Sequence, residues 1–194
     1  MPKQLVRCDH KSDQAWSNEL VHLPQEEQDL FWMQHAYRLA EKAGAQGEVP
    51  VGAVIVLRGK LIAEGWNQSI QNHDPTAHAE MLALKQAGQT IENYRLIDST
   101  LYVTLEPCPM CAMAMVHARV ARVVYGAADL KTGACGSVFN LVADEQLNHQ
   151  LESVAGVLQS ECSAQLSHFF KSRRQENKAR KRQGKVDESE PQVG

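Results

Sequence analysis

Whatever this chain folds into must bring together two short segments that stand thirty residues apart: His78-Ala79-Glu80 and Pro107-Cys108-Pro109-Met110-Cys111. One imidazole and two thiolates make a ligand set for zinc. Cysteines three apart present both sulfurs on one face of a helical segment. Zinc is normally four-coordinate, so three protein ligands leave one position to water, the mark of a catalytic rather than a structural site. Glu80 lies two residues from the imidazole ligand, close enough to exchange protons with that water. At average composition a His-x-Glu arises by chance in roughly a quarter of chains this long, and Pro-Cys-x-x-Cys in about one in several hundred. The cysteine motif therefore carries the argument.

Two other readings compete. A redox Cys-x-x-Cys pair explains neither His78 nor Glu80. A structural zinc site needs a fourth ligand, for which His73, His117 and Cys135 are the plausible donors; none stands at ligand spacing from a partner, and spatial closeness is left open. Glu106, just before the cysteine motif, is explained as a charge complement to a helix N-terminus.

The five cysteines, at positions 8, 108, 111, 135 and 162, are odd in number and scattered, which fits a reducing compartment better than a disulfide framework. The first residues lack the apolar core of a secretory signal, and the longest apolar run, 51–57, is far too short to cross a bilayer. A cytoplasmic protein without membrane association is expected. Charge is uneven. Residues 1–170 carry 12 basic and 19 acidic side chains, a net −7; residues 171–185 carry eight basic and one acidic, a net +7; the last nine carry −3. A basic block on an acidic body suggests contact with a polyanion, although a solvated helix end stabilised by cations accounts equally well for charge alone.

Three regions are expected: a polar arm over residues 1–25, a domain over 26–183, and an acidic, disordered end over 184–194. The arm has no sustained periodicity, though Trp16, Leu20, Val21 and Leu23 could pack. Apolar spacing predicts a helix from 24 to about 46, with Leu30, Met33, Tyr37 and Ala40 on its inner face. Residues 51–57 and 61–66 read as a hairpin around Arg58-Gly59-Lys60. A helix beginning near Ala77, capped by Thr76, would carry His78 and Glu80 in its first turn, with Met81, Leu82 and Leu84 packed behind. A strand over 101–105 leads through Pro107 to a second helix opened by Cys108, so two helix N-termini would converge on the ion. Residues 122–125 read as a strand and 126–137 as a glycine-rich loop that could line a substrate mouth. An edge strand over 151–157 and a final helix from about 160 complete the reading.

The His-x-Glu and Pro-Cys-x-x-Cys pair is the signature of zinc-dependent base deaminases. From about residue 28 to 182 the chain further resembles the bacterial tRNA-specific adenosine deaminases, within the cytidine and deoxycytidylate deaminase superfamily. The shared stretches include 48–53 (Glu-Val-Pro-Val-Gly-Ala), 65–67 (Gly-Trp-Asn), 73–80, 94–97 (Tyr-Arg-Leu-Ile), 102–108, 131–133 (Lys-Thr-Gly) and Phe169-Phe170 leading into Arg173-Arg174. The resemblance implies an α/β fold, a three-layer α/β/α sandwich around a five-stranded mixed sheet. It implies hydrolytic conversion of adenosine to inosine at the wobble position of a tRNA, arginine tRNA above all. One zinc per subunit would be held by His78, Cys108 and Cys111, with Glu80 carrying protons. Asn67 would bind the nucleoside, Asp129 and Lys131 would lie near it, and Arg173 and Arg174 would meet phosphates. The enzyme would be a homodimer acting on the anticodon stem-loop. Deaminases of guanine, cytosine or dCMP use a similar zinc set, a silent RNA-binding subunit could share the fold, and a zinc that merely holds a folding module together would leave Glu80 without a role. The basic C-terminal helix, the Asn67 region and the intact Glu80 favour catalysis on RNA.

Overall fold

The computed structural model describes residue 20 and residues 22–187, so the expectations for most of the N-terminal arm and for the last seven residues lie outside the described residues. The first long element is helix α1 (Gln25–Ala45), with Glu26 and Glu27 in its opening turn and Lys42 in its last, the order that complements the helix dipole. Its buried stripe runs through Trp32, Met33, Ala36, Leu39, Ala40 and Ala43, so Leu30 and Tyr37 are only half-buried rather than central. The small residues take the inner face because α1 lies directly on Gly52. A Cβ there would run into the backbone at Ala36 and Ala40.

Strands β1 (Gly52–Leu57) and β2 (Lys60–Trp66) form the expected hairpin, with Arg58 and Gly59 at positive φ in its turn. They are followed by α2 (Ala79–Thr90), β3 (Ser99–Leu105), α3 (Pro109–Ala118), β4 (Arg122–Ala127), a short 3-10 turn (Leu141–Ala143), β5 (Glu152–Ala155) and α4 (Gln159–Asp187). The strand after α3 includes Gly126 and Ala127, which the sequence reading placed in the loop, and α4 continues past residue 183. Strand order is β2-β1-β3-β4-β5, with β1 antiparallel to both neighbours and β3, β4 and β5 parallel.

Side chains alternate across the sheet with period two. Val54, Val56, Tyr102 and Val124 face α1, whereas Ala53, Ile55, Leu101, Val103 and Val123 share a core with α2 and α3. Helix α4 crosses on the α1 side, with Cys162 against Gly126. The result is the three-layer α/β/α arrangement around a mixed five-stranded sheet. The start of β1 and the ends of β2, β3 and β4 meet at one rim of that sheet, which is where α/β proteins of this kind bind ligands.

The opposite rim is tied by charge. Arg122 donates two bonds of 2.7 Å to Asp29, Tyr102 donates a third at 3.0 Å, and the same guanidinium reaches Glu152 at 3.1 Å. Burial alone would raise the Asp29 carboxyl, but these bonds and the Arg122 charge outweigh it and hold the group below its ordinary range. This buried pair stitches α1 to β3, β4 and β5.

Candidate active site

The metal motif is assembled by two helix starts. His78 is the N-cap residue of α2 and Cys108 the N-cap of α3, both with extended backbone, and Pro109 occupies the first helical position after Cys108. The His78 side chain does not cap its own helix and stands instead against the two sulfurs, while the Cys108 sulfur faces Cys111 in the first turn of α3. His78 Nδ1 stands 3.8 Å from Cys108 Sγ and 3.6 Å from Cys111 Sγ, and the three donor atoms lie within 4.8 Å of one another. Zn–S and Zn–N lengths at a tetrahedral angle put nitrogen and sulfur about 3.6 Å apart, so the donors already stand at ligand separation. With only protons to share, the groups compete. The Cys108 thiol is drawn down to about 4, chiefly by its bond with Cys111, while that same bond and burial push Cys111 far up. A dication satisfies both sulfurs and the imidazole at once, so the residues present fit zinc. Among the described residues no fourth His, Cys, Asp or Glu joins the group. His73 and His117 are exposed, and Cys135, though buried nearby, lies outside it.

Glu80, in the first turn of α2, is 4% exposed. Burial raises its carboxyl above the ordinary range; its own backbone N–H and the neighbouring imidazole pull the other way without cancelling that. It lies against Cys111. A buried carboxyl in which burial favours the protonated form is suited to take up and return a proton within one turnover.

Residues 26–127 fit the model of the cytidine and deoxycytidylate deaminase zinc-binding region. The tRNA-specific adenosine deaminase of Haemophilus influenzae is 55% identical over 154 residues, covering 79% of this chain and 89% of that protein. The chain belongs to the tRNA-specific adenosine deaminases. That of Bacillus subtilis is 48% identical over 152 residues, covering 78% of this chain and 94% of its own. A solved structure from work on A-to-I editing by tRNA:A34 deaminases at the wobble position superposes with a TM-score of 0.68 at 39% identity, covering 70% of this chain and 98% of that one.

The loops of this adenosine deaminase correct several expectations about the site. Thr76 does not cap α2: its hydroxyl bonds to Asp74 at 2.7 Å, and the helix starts two residues later than expected. The capping is done by Asn67, whose Oδ1 accepts the Ala79 N–H at 2.9 Å. Met81, Leu82 and Leu84 are only half-buried, and the inner face of α2 is Ala79, Ala83 and Ala87. The reason is Gly65. A Cβ on it would overlap the Ala79 carbonyl, so strand and helix meet backbone to backbone and leave room only for small side chains between them.

Asp129 spends its carboxylate on its own loop, accepting from Lys131 N at 2.9 Å and from the Thr132 hydroxyl at 2.7 Å, while the Lys131 side chain is exposed. Arg173 donates to Gly47 O at 2.9 Å and lies over the Phe169 ring, so it pins α4 to the turn after α1; Arg174 is exposed. The structure therefore unites His78, Glu80, Cys108 and Cys111 and sets Asn67 at the same helix start. It does not draw Arg173 into that cluster.

Two buried carboxylates escape the sequence reading. Glu106, 2% exposed, does not serve as a simple helix-end charge. Its oxygens accept from Asp129 N at 2.9 Å, from Cys135 N and Ser137 N at 3.0 Å each, and from the Ser137 hydroxyl. Gly133 packs so tightly on this carboxylate that a side chain there would overlap it. Glu48, 1% exposed, likewise accepts from Ile70 N at 3.2 Å and Gln71 N at 2.8 Å. Each acid ties down one loop beside the metal cluster. The one available signal was an acid shortly before a proline at one end of an apolar strand, Glu48 ahead of β1 and Glu106 just after β3.

Proposed function

We propose that this chain catalyses hydrolytic deamination of adenosine to inosine at the wobble position of tRNA, arginine tRNA foremost. One zinc would be held per subunit by His78, Cys108 and Cys111. The observation that carries the reading is the three-donor cluster, with no fourth ligand among the described residues and with the raised, buried carboxyl of Glu80 at its side. A zinc bound there would supply acidified water near neutral pH. Glu80 takes a proton from the attacking water and delivers it to N1 of the base; it then takes the proton of the new C6 hydroxyl and passes it to the amine, which leaves as ammonia while the C6 carbonyl forms. The side chain of Asn67 orients the nucleoside with its amide nitrogen, because its oxygen is committed to Ala79 N. The dipoles of α2 and α3, which both open at the cluster, favour developing negative charge there.

Residues 26–183 form the catalytic domain, with the basic helix as an RNA contact through Arg174 and its neighbours. An anticodon loop suits such a site, since its bases are already partly unstacked. A second subunit would pack on the α2–α3 face, where Met81, Leu84, Ala114 and the 68% exposed Tyr94 line a shallow apolar depression. Among the described residues no helix is long and apolar enough to cross a membrane, and the scattered cysteines support a cytoplasmic setting. The test is incubation with total tRNA followed by sequencing of anticodons for inosine. Conversion is expected with the intact chain and none with Glu80→Ala at equal zinc content; conversion that survives Glu80→Ala refutes the role given to that carboxyl.

A further inference from the structure

The loop after β4 is held more firmly than a connection requires, and yet it shows apolar side chains to water. Its backbone closes on itself through Phe139 N to Gly133 O at 2.9 Å, Gly136 N to Phe139 O at 2.8 Å and Leu141 N to Ala134 O at 3.0 Å. It is fastened to the site through Ala134 N to Pro107 O at 2.8 Å, one residue before a metal ligand, and through the Glu106 carboxylate. On this fixed frame Leu130 is 84% exposed, Val138 45% and Phe139 50%. Val142, one residue past the closing bond, is fully buried, so the loop has access to the core and does not use it for Phe139.

We infer that Phe139 is a stacking platform for an unpaired base that flanks the reacting adenosine, and so a specificity-determining residue of the site. The inference rests on the RNA reading above. An exposed aromatic ring on a rigid mount is suited to a base face, because the mount has already lost the freedom that binding would otherwise cost. The same loop carries the exposed Lys131, a cation for the adjoining phosphate. Proteins that read single-stranded RNA commonly stack splayed bases on aromatic rings in this way.

The test is steady-state deamination of an anticodon stem-loop by wild type, Phe139→Ala and Phe139→Trp, each checked for full zinc content and for mass in solution. Loss of one stacked base corresponds to roughly 5- to 150-fold in affinity. Phe139→Ala is therefore expected to raise KM by about tenfold or more with kcat within about twofold. Phe139→Trp should restore KM. Replacing one flanking nucleotide by an abasic residue should raise KM for wild type but leave Phe139→Ala unmoved. A KM unchanged in Phe139→Ala, an abasic effect that simply adds to the substitution, or a change in subunit assembly in place of a change in KM would each overturn the inference. A wild-type enzyme inactive on the stem-loop would remove the RNA reading together with this one, whereas an active enzyme indifferent to position 139 would remove this one alone.

Discussion

Replacing Glu106 by glutamine removes a charge without changing shape, and the structure sets what it should cost. The carboxylate accepts three backbone N–H groups and one hydroxyl while 2% exposed. An amide can keep its oxygen on Cys135 N and Ser137 N, and the Ser137 hydroxyl can turn to accept from the new NH2. The NH2 must then face the Asp129 N–H, donor against donor, and that N–H is left without a partner. An unsatisfied buried donor costs about 1–3 kcal/mol, and the two retained bonds no longer have charge assistance. Glu106→Gln should therefore lower unfolding stability by about 2–3 kcal/mol, and Glu106→Ala, which abandons all four bonds, by more. Urea unfolding of the zinc-loaded protein measures the difference, and hydrogen exchange at residues 129, 135 and 137 locates it. Zinc should remain at one per chain, because Glu106 is no ligand. A Glu106→Gln protein within about 0.5 kcal/mol of wild type, with unaltered exchange at those three amides, would refute the clamp.

Further outcomes can be checked directly. Asn67→Ala, which strips the cap from α2, should cost about 1 kcal/mol in a urea titration and should also reduce deamination, since the start of that helix carries His78 and Glu80. Cys111→Ser should drop bound zinc, counted by mass spectrometry, well below one per chain and abolish activity, and chelation of the wild type should do the same. The folded Asp29 carboxyl lies below its unfolded value of 3.8, so the stability it contributes is complete above 3.8 and disappears as pH falls through the lower folded value. Asp29→Asn should flatten that acid limb of the stability profile, and an unchanged limb would remove Asp29 from the account. Truncation after Phe170 should reduce the slope of log affinity for the stem-loop against log salt by about 0.7 for each phosphate that the helix no longer neutralises; an unchanged slope would show that the basic block does not touch RNA.

Residue order alone determined the metal cluster, the helices that open on it, the hairpin and the family, because each is written in local spacing. A ligand pair three apart, apolar periodicity and a turn around Gly59 depend on neighbours along the chain. The mixed five-stranded sheet came only with the resemblance and its strand order only with the structure, since spacing within a strand carries no record of its partner. Tertiary structure decided what depends on distant groups. Gly52 and Gly65 set how closely helices approach the sheet, and thereby turned the buried faces of α1 and α2 toward alanine. Asn67 displaced Thr76 as the cap because folding brings residue 67 to the N–H of residue 79. Glu106 could look like a helix-end charge until a loop up to thirty-one residues further on was seen to fold onto it. The reason is physical: a buried carboxylate is tolerable only where enough donors converge on it, and which donors converge is settled in space rather than along the sequence.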